Sequence, residues 1–220
     1  MKKKFELQFI ESLVYSNYGI KVKAIQVEGE SDDNFKLNSK NKSYFFKIYP
    51  KKTDPKFVKF QTNLLINLKD YKKAANNKLT LDKKPYATFF DKENEIRYFR
   101  MNDWINGRLW SSVNPINKNL RHELGLESAK LILKLKKVNS NYFREDFDWD
   151  LSNYIWIEKI YKKIDIGKKR QLIIEKLLIN FKKKQSEYEG LRKNLIHNDL
   201  NDNNIIVSEN LKNPNIVGFI

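Results

Sequence analysis

The chain has 220 residues, of which 40% are hydrophobic and 32% charged, enough apolar material for a core and too much for wholesale disorder. It has no cysteine, which excludes disulfides, thiolate metal sites and cysteine nucleophiles. Lysine and arginine number 43 against 27 acidic residues, a formal charge of +16.

Residues 5–18 carry a weak helical period, with Phe5, Phe9 and Leu13 on one face and Gly19 as the stop. Lys21–Val27 and Asn34–Asn38 read as strands around the acidic turn from Glu28 to Asp33. Ser43–Tyr49 is a third strand, closed by Pro50. Within it Phe45, Lys47 and Tyr49 fall on one face, and Tyr44, Phe46 and Ile48 on the other. Asp54-Pro55 is a helix start, a capping carboxylate followed by proline at the first helical position. Phe57, Phe60, Leu64 and Leu68 continue at helical spacing as far as Asp70. Tyr86–Asp91 and Ile96–Met101 complete a small sheet. After the joint at Asn102-Asp103-Trp104 the pattern turns helical. Helices are expected over Asn119–Asn139, Leu151–Lys162 and Lys169–Lys184, the last with Ile173, Leu177 and Phe181 as its apolar row.

The charge is not evenly placed. Residues 36–84 hold 14 lysines against three aspartates, and residues 159–184 hold ten basic residues against two acids. Residues 191–220 hold three of each sign. The excess therefore reads as solvated surface, and the scarcity of arginine in the basic blocks fits that reading. The lysine-rich N-terminus is broken at once by Glu6, Gln8 and Glu11, so no signal peptide is expected. No apolar run is long enough to span a membrane as a helix. A cytoplasmic location is the expectation.

The most informative run is His197-Asn198-Asp199-Leu200-Asn201-Asp202-Asn203-Asn204, succeeded by the aliphatic Ile205-Ile206-Val207. Phosphoryl transfer needs a carboxylate that orients and deprotonates the acceptor hydroxyl. It also needs a neutral oxygen ligand for the metal on the nucleotide phosphates. Asp199 and Asn204, five positions apart in one loop, suit those two tasks. The same string also reads as a polar turn between apolar segments. Lys47 stands in an otherwise aromatic and aliphatic strand, where a charge is costly unless it has a partner. Nucleotide phosphates are one partner; snorkelling from a half-exposed face is the other account. The turn at Gly29–Asn34 is where a phosphate-covering loop would lie, although its single glycine and its acids match a Gly-rich loop poorly. The segment Phe99–Asp103 with Trp104-Ile105-Asn106-Gly107 joins the two parts where a purine would stack, and also reads as an ordinary linker. His122 has no companion for a zinc site. The four tryptophans read as core or lobe contacts.

These residues together resemble the aminoglycoside phosphotransferase and choline kinase superfamily. Its loop typically reads His-Gly-Asp-Leu-x-x-x-Asn-Ile-Leu-Val, with one more residue before the asparagine than here. The hydroxylysine kinase branch is the nearest likeness, through the loop, Ser31-Asp32-Asp33-Asn34-Phe35 and Phe147-Asp148-Trp149-Asp150-Leu151. The resemblance implies an α+β, two-lobed protein-kinase-like fold, with a β-rich N-terminal lobe over 1–103 and a mostly α, partial C-terminal lobe over 104–220. It implies Asp199 as catalytic base, His197 as support for the loop, Asn204 as a ligand of Mg2+, and Lys47 as the holder of ATP or GTP phosphates. Ser31, Asn34, Arg100 and Asn102 lie on the segments that would face the nucleotide. In such families a helix glutamate often pairs with the lysine; Gln61 occupies that region here and could only hydrogen-bond it. Asn198 replaces the usual glycine, and asparagine tolerates left-handed backbone angles better than most residues.

The family's second metal-binding aspartate commonly lies in Gly-x-Ile-Asp-Phe, whereas this chain reads Val217-Gly218-Phe219-Ile220 at its end. The expectation is a truncated small-molecule kinase with impaired transfer, whose acceptor is a hydroxyl on a small amine-bearing metabolite. The alternatives are an inactive fragment or pseudokinase that binds nucleotide or a protein partner, and a basic nucleic-acid-binding protein. The neutral segment around the motif and the lack of a recognition module argue against nucleic acid. The oligomeric state is left open.

Overall fold

The computed structural model describes residues 5–29, 31–139, 142 and 149–220. The expected likeness at Phe147-Asp148 lies outside them. The chain divides into two compact units, one of residues 1–140 with 195–220 and one of residues 141–194. The joint expected near residue 103 falls inside the first.

In the first unit, helix α1 (Leu7–Tyr18) ends at Gly19, whose φ of 69° lets its N–H reach the Tyr15 carbonyl. Strands β1 (Lys23–Val27), β2 (Asp33–Asn38) and β3 (Ser43–Ile48) come next as an antiparallel meander. Helix α2 (Pro55–Asn67) is capped as expected, with Asp54 accepting from the Lys56 N–H at 2.8 Å. Three more strands, β4 (Asn77–Lys78), β5 (Ala87–Phe90) and β6 (Ile96–Asp103), complete a six-stranded sheet ordered β1-β2-β3-β6-β4, with β5 also on β6. The two-residue β4 has no sequence signature of its own; it exists because β6 offers it a partner.

The pleat divides this sheet chemically. Phe35, Leu37, Phe46, Ile48, Phe99 and Met101 are fully buried against Ile10 and Val14 of α1. Each of these large side chains contributes about 2–3 kcal/mol by leaving water. The opposite face carries Asn34, Lys36, Phe45, Lys47, Arg100 and Asn102.

A second core joins α2 to the C-terminal half of the same unit. Leu68 and Tyr71 pack with Trp110, Leu120, Leu131 and Leu135. The last three lie on helix α3 (Lys118–Leu135), which Asn117 caps and which ends four residues before the expected Asn139. Strands β7 (Arg108–Leu109), β8 (Ile205–Val207) and β9 (Ile216–Phe219) form a small sheet whose Ile205, Val207, Ile216 and Phe219 enter the same core. Gly107, at φ 150°, lets the chain enter it: a Cβ there would stand 2.4 Å from the Val207 carbonyl.

In the second unit, the helix expected over Leu151–Lys162 is interrupted. It runs as α4 (Ile155–Ile160) between 3-10 turns at Leu151–Asn153 and Tyr161–Lys163. Helix α5 (Lys168–Lys183) and a short α6 (Gln185–Glu189) complete the unit. The apolar row differs from the one read in the sequence. Ile174, Leu178 and Phe181 pack with Tyr154, Ile157 and Tyr161, while Ile173 and Leu177 are exposed. Two adjacent rows are apolar, and the small core covers one. Trp149 is 77% exposed and is no core residue, unlike Trp110. Among the described residues no helix is long and apolar enough to cross a membrane.

Candidate active site

The polar face of the sheet brings the sequence candidates together. Asn34 on β2, Lys47 on β3 and Arg100 on β6 are direct register partners, a row across three strands. All three are largely buried. Arg100 Nε donates to the Tyr49 hydroxyl at 2.9 Å, while its Nη1 is buried with no hydrogen-bond partner among the described residues. Asn34 Oδ1 and Asn102 Oδ1 are buried and unpartnered in the same sense. Asn34 Nδ2 reaches the Glu28 carbonyl at 3.4 Å. Ser31 is exposed in the turn before β2.

Lys47 is not free. Its Nζ lies 2.5 Å from Asp32 Oδ2, with 16% and 22% of the two side chains exposed. Burial, aided by Arg100, pushes the lysine pKa below its ordinary value, and Asp32 opposes that fall. The hydrogen bond expected from Gln61 is not made: Gln61 Oε1 is buried without a partner among the described residues. Asp32 is the residue that sequence reasoning did not single out for Lys47. The available signal was a cluster of acids in the turn next to the only lysine in an apolar strand.

The joint also differs from expectation. The N–H groups of Asp103 and Trp104 are taken by the Asn76 and Ser43 carbonyls at 2.9 and 3.2 Å. Strand pairing extends further along β6 than the sequence suggested. One face of the Trp104 ring is covered by Lys36 Nζ, 4.6 Å from the centroid.

The loop before β8 is tied by its own side chains. Asn204 Nδ2 donates to Asp199 Oδ2 and to the Asp199 carbonyl, both at 2.8 Å. Asn201 Nδ2 donates to Asp199 Oδ1 at 2.7 Å, and Asn201 Oδ1 accepts from the Asn203 N–H at 2.8 Å. Both Asp199 oxygens are thus oriented from within the loop. With its nitrogen engaged, Asn204 has its Oδ1 left as a neutral ligand. His197 Nδ1 accepts from the Asp199 N–H at 3.3 Å, bracing the loop. Burial lowers the His197 pKa from its usual value, opposed by the Ile220 backbone and Asp199. Asn198 adopts φ 67°, the left-handed conformation that glycine would supply. The loop is anchored on both sides, by Ser111 N–H to the Asp202 carbonyl and Ile220 N–H to the Asn204 carbonyl, each at 3.0 Å.

Two further features bear on ions. Asp199 and Asn204 are oxygen donors of the kind a hard cation takes. The carboxylates of Asp91, Glu93 and Glu95 also gather within 4.8 Å of one another. Lys51 Nζ already sits among them, 3.4 Å from Asp91 and 3.5 Å from Glu95, so that cluster is an ion-pair clasp on the β5–β6 hairpin.

Compared with known proteins, the chain is similar to mouse hydroxylysine kinase, at 26% identity over 216 residues. That alignment covers 89% of this chain and 57% of the kinase, so the chain spans little more than half of that relative's length. Among solved structures it resembles an aminopropanol kinase associated with a microcompartment, with TM-score 0.72 at 12% identity over 96% of this chain and 67% of that one. It also resembles an amicoumacin kinase, with TM-score 0.69 at 14% identity over 98% and 64%. These likenesses establish the two-lobed, protein-kinase-like α+β fold. The profile of the phosphotransferase enzyme family matches residues 21–220, and the chain belongs to that family.

Proposed function

We propose that this chain carries the nucleotide-binding and proton-accepting parts of a small-molecule kinase. The reaction moves the γ-phosphate of ATP or GTP to a hydroxyl on a small amine-bearing metabolite, hydroxylysine-like by the likeness to hydroxylysine kinase. The observation that carries the reading is the row Asn34, Lys47 and Arg100: two largely buried cations side by side, Lys47 paired with Asp32 and Arg100 with no carboxylate among the described residues. Buried charge without a counter-charge is costly, and an anion at this face offsets that cost. The unpartnered donor Arg100 Nη1 fits such a ligand.

In this reading Lys47 and Arg100 hold nucleotide phosphates, with Asn34 and Asn102 beside them and Ser31 in the covering turn. Residues 1–103 form the nucleotide lobe and residues 104–220 the lobe that presents the loop. Asp199, its carboxylate oriented by Asn201 and Asn204, accepts the proton of the acceptor hydroxyl as that oxygen attacks the γ-phosphorus and the bond to the nucleoside diphosphate breaks. His197 keeps the loop in place. Asn204 Oδ1 is the atom that would hold Mg2+, whose charge offsets that of the phosphates when it is bound. A reaction that draws on ATP or GTP suits the cytoplasm.

Residues 1–220 hold both Asp199 and Asn204. Nucleotide binding tests the Lys47 part of the reading directly. Calorimetric titration with Mg-ATP and Mg-GTP should give heat for the unmodified chain and lose it in Lys47→Ala. Identical isotherms would remove Lys47 from the site.

A further inference from the structure

Lys47 has its carboxylate from an unusual place. The Asp32 contact comes from the β1–β2 turn, and α2 supplies nothing: Gln61 is neutral, and its buried Oε1 bonds no group among the described residues. The turn is shaped to deliver that acid. A Cβ on Gly29 would stand 2.4 Å from Asn34 Nδ2 and 2.7 Å from the Asp32 carbonyl, so only glycine lets the turn fold back this closely. Asn34 Nδ2 then ties the turn to the Glu28 carbonyl.

We infer that Asp32 is the positioning residue for Lys47, doing from the phosphate-covering turn what a helix carboxylate would otherwise do. This rests on the reading of Lys47 as a phosphate holder. In addition, Asp32 occupies Lys47 while Arg100 has no carboxylate among the described residues. An incoming phosphate therefore finds Arg100 as its unneutralised cation and shares Lys47 with Asp32.

The charged and titratable groups around Lys47 are Asp32 from the turn, Arg100 from β6, and Tyr49 just past the end of β3 with its ring centroid 5.7 Å away. Only Asp32 favours the protonated lysine strongly by charge and hydrogen bond. Removing it leaves burial and Arg100 unopposed, so the ammonium should give up its proton at lower pH.

The test is the pH profile of Lys47 acylation by an amine-selective reagent, read by peptide mass spectrometry without nucleotide. Asp32→Asn should move the midpoint to lower pH, Asp32→Glu should return it toward the unmodified value, and Gln61→Ala should leave it in place. An unmoved midpoint in Asp32→Asn, or an equal shift in Gln61→Ala, overturns the inference. A second measurement needs no variant: a zero-length carbodiimide should join the Lys47 and Asp32 peptides of the unmodified chain. Joining Lys47 to a different carboxylate instead overturns the inference as well. These outcomes are separate from the nucleotide reading. If Lys47→Ala binds Mg-ATP normally, that reading fails while the acylation profile still identifies the counter-ion.

Discussion

Arg97 and Arg100 stand three residues apart on β6 and are both buried, yet their surroundings differ. Arg97 lies on the α1 side. It donates to the Tyr49 carbonyl through Nε and Nη2 at 3.1 and 2.8 Å, and it meets Asp33 at 3.4 Å and Asp91 at 3.6 Å. Arg100 lies on the polar face and has the Tyr49 hydroxyl but no carboxylate among the described residues. A cation buried this way adds little to folding, because desolvation is not offset. It is the kind of cost that functional sites carry. Arg100→Met is therefore expected to leave the melting temperature unchanged or raise it slightly. The same variant should weaken Mg-ATP binding by ~10-fold or more, about 1.4 kcal/mol. A lowered melting temperature with unchanged affinity would make Arg100 a structural residue.

At the scale of elements, the loop before β8 depends on one backbone conformation. Asn198 at φ 67° allows Asp199 to turn back toward His197 and Asn204. Asn198→Gly should keep stability within a few tenths of a kcal/mol, since glycine takes this angle without strain. Asn198→Val should cost about 1–2 kcal/mol or distort the loop. Urea unfolding of the two variants checks this; equal losses would mean that the angle is not what the position requires. The sequence revealed β3, because its aromatic alternation is strong and bounded by turns. It revealed the start of α2 through Asp54-Pro55, and the loop through its spacing. It did not reveal β4 or β7, whose two residues each are strands only by virtue of distant partners. It misjudged α5, where two apolar rows compete and tertiary packing chooses Ile174, Leu178 and Phe181. The site was legible as a set of residues but not as a set of contacts. The acids of the turn hint at a partner for Lys47, but the choice of Asp32 over Gln61 depends on how the turn folds over the neighbouring strand.

For the whole molecule, the +16 charge is a poor guide to the chemistry. The two cations of the proposed site, Lys47 and Arg100, are set apart from the surface lysines by burial and not by number. Solvated lysines are screened at ordinary salt, while buried charges are screened far less. The family assignment covers residues 21–220, yet the chain spans 57% of the length of hydroxylysine kinase, so the acceptor and the full reaction stay in the proposal. The polar sheet face is proposed as a phosphate site. The most direct measurement is a crystal structure of this chain with Mg2+ and a non-hydrolysable ATP or GTP analogue. Phosphate oxygens should lie within hydrogen-bonding distance of Arg100 Nη1 and Lys47 Nζ, with Asp32 still on the lysine. Nucleotide bound elsewhere, with Arg100 Nη1 still unpartnered, would contradict it.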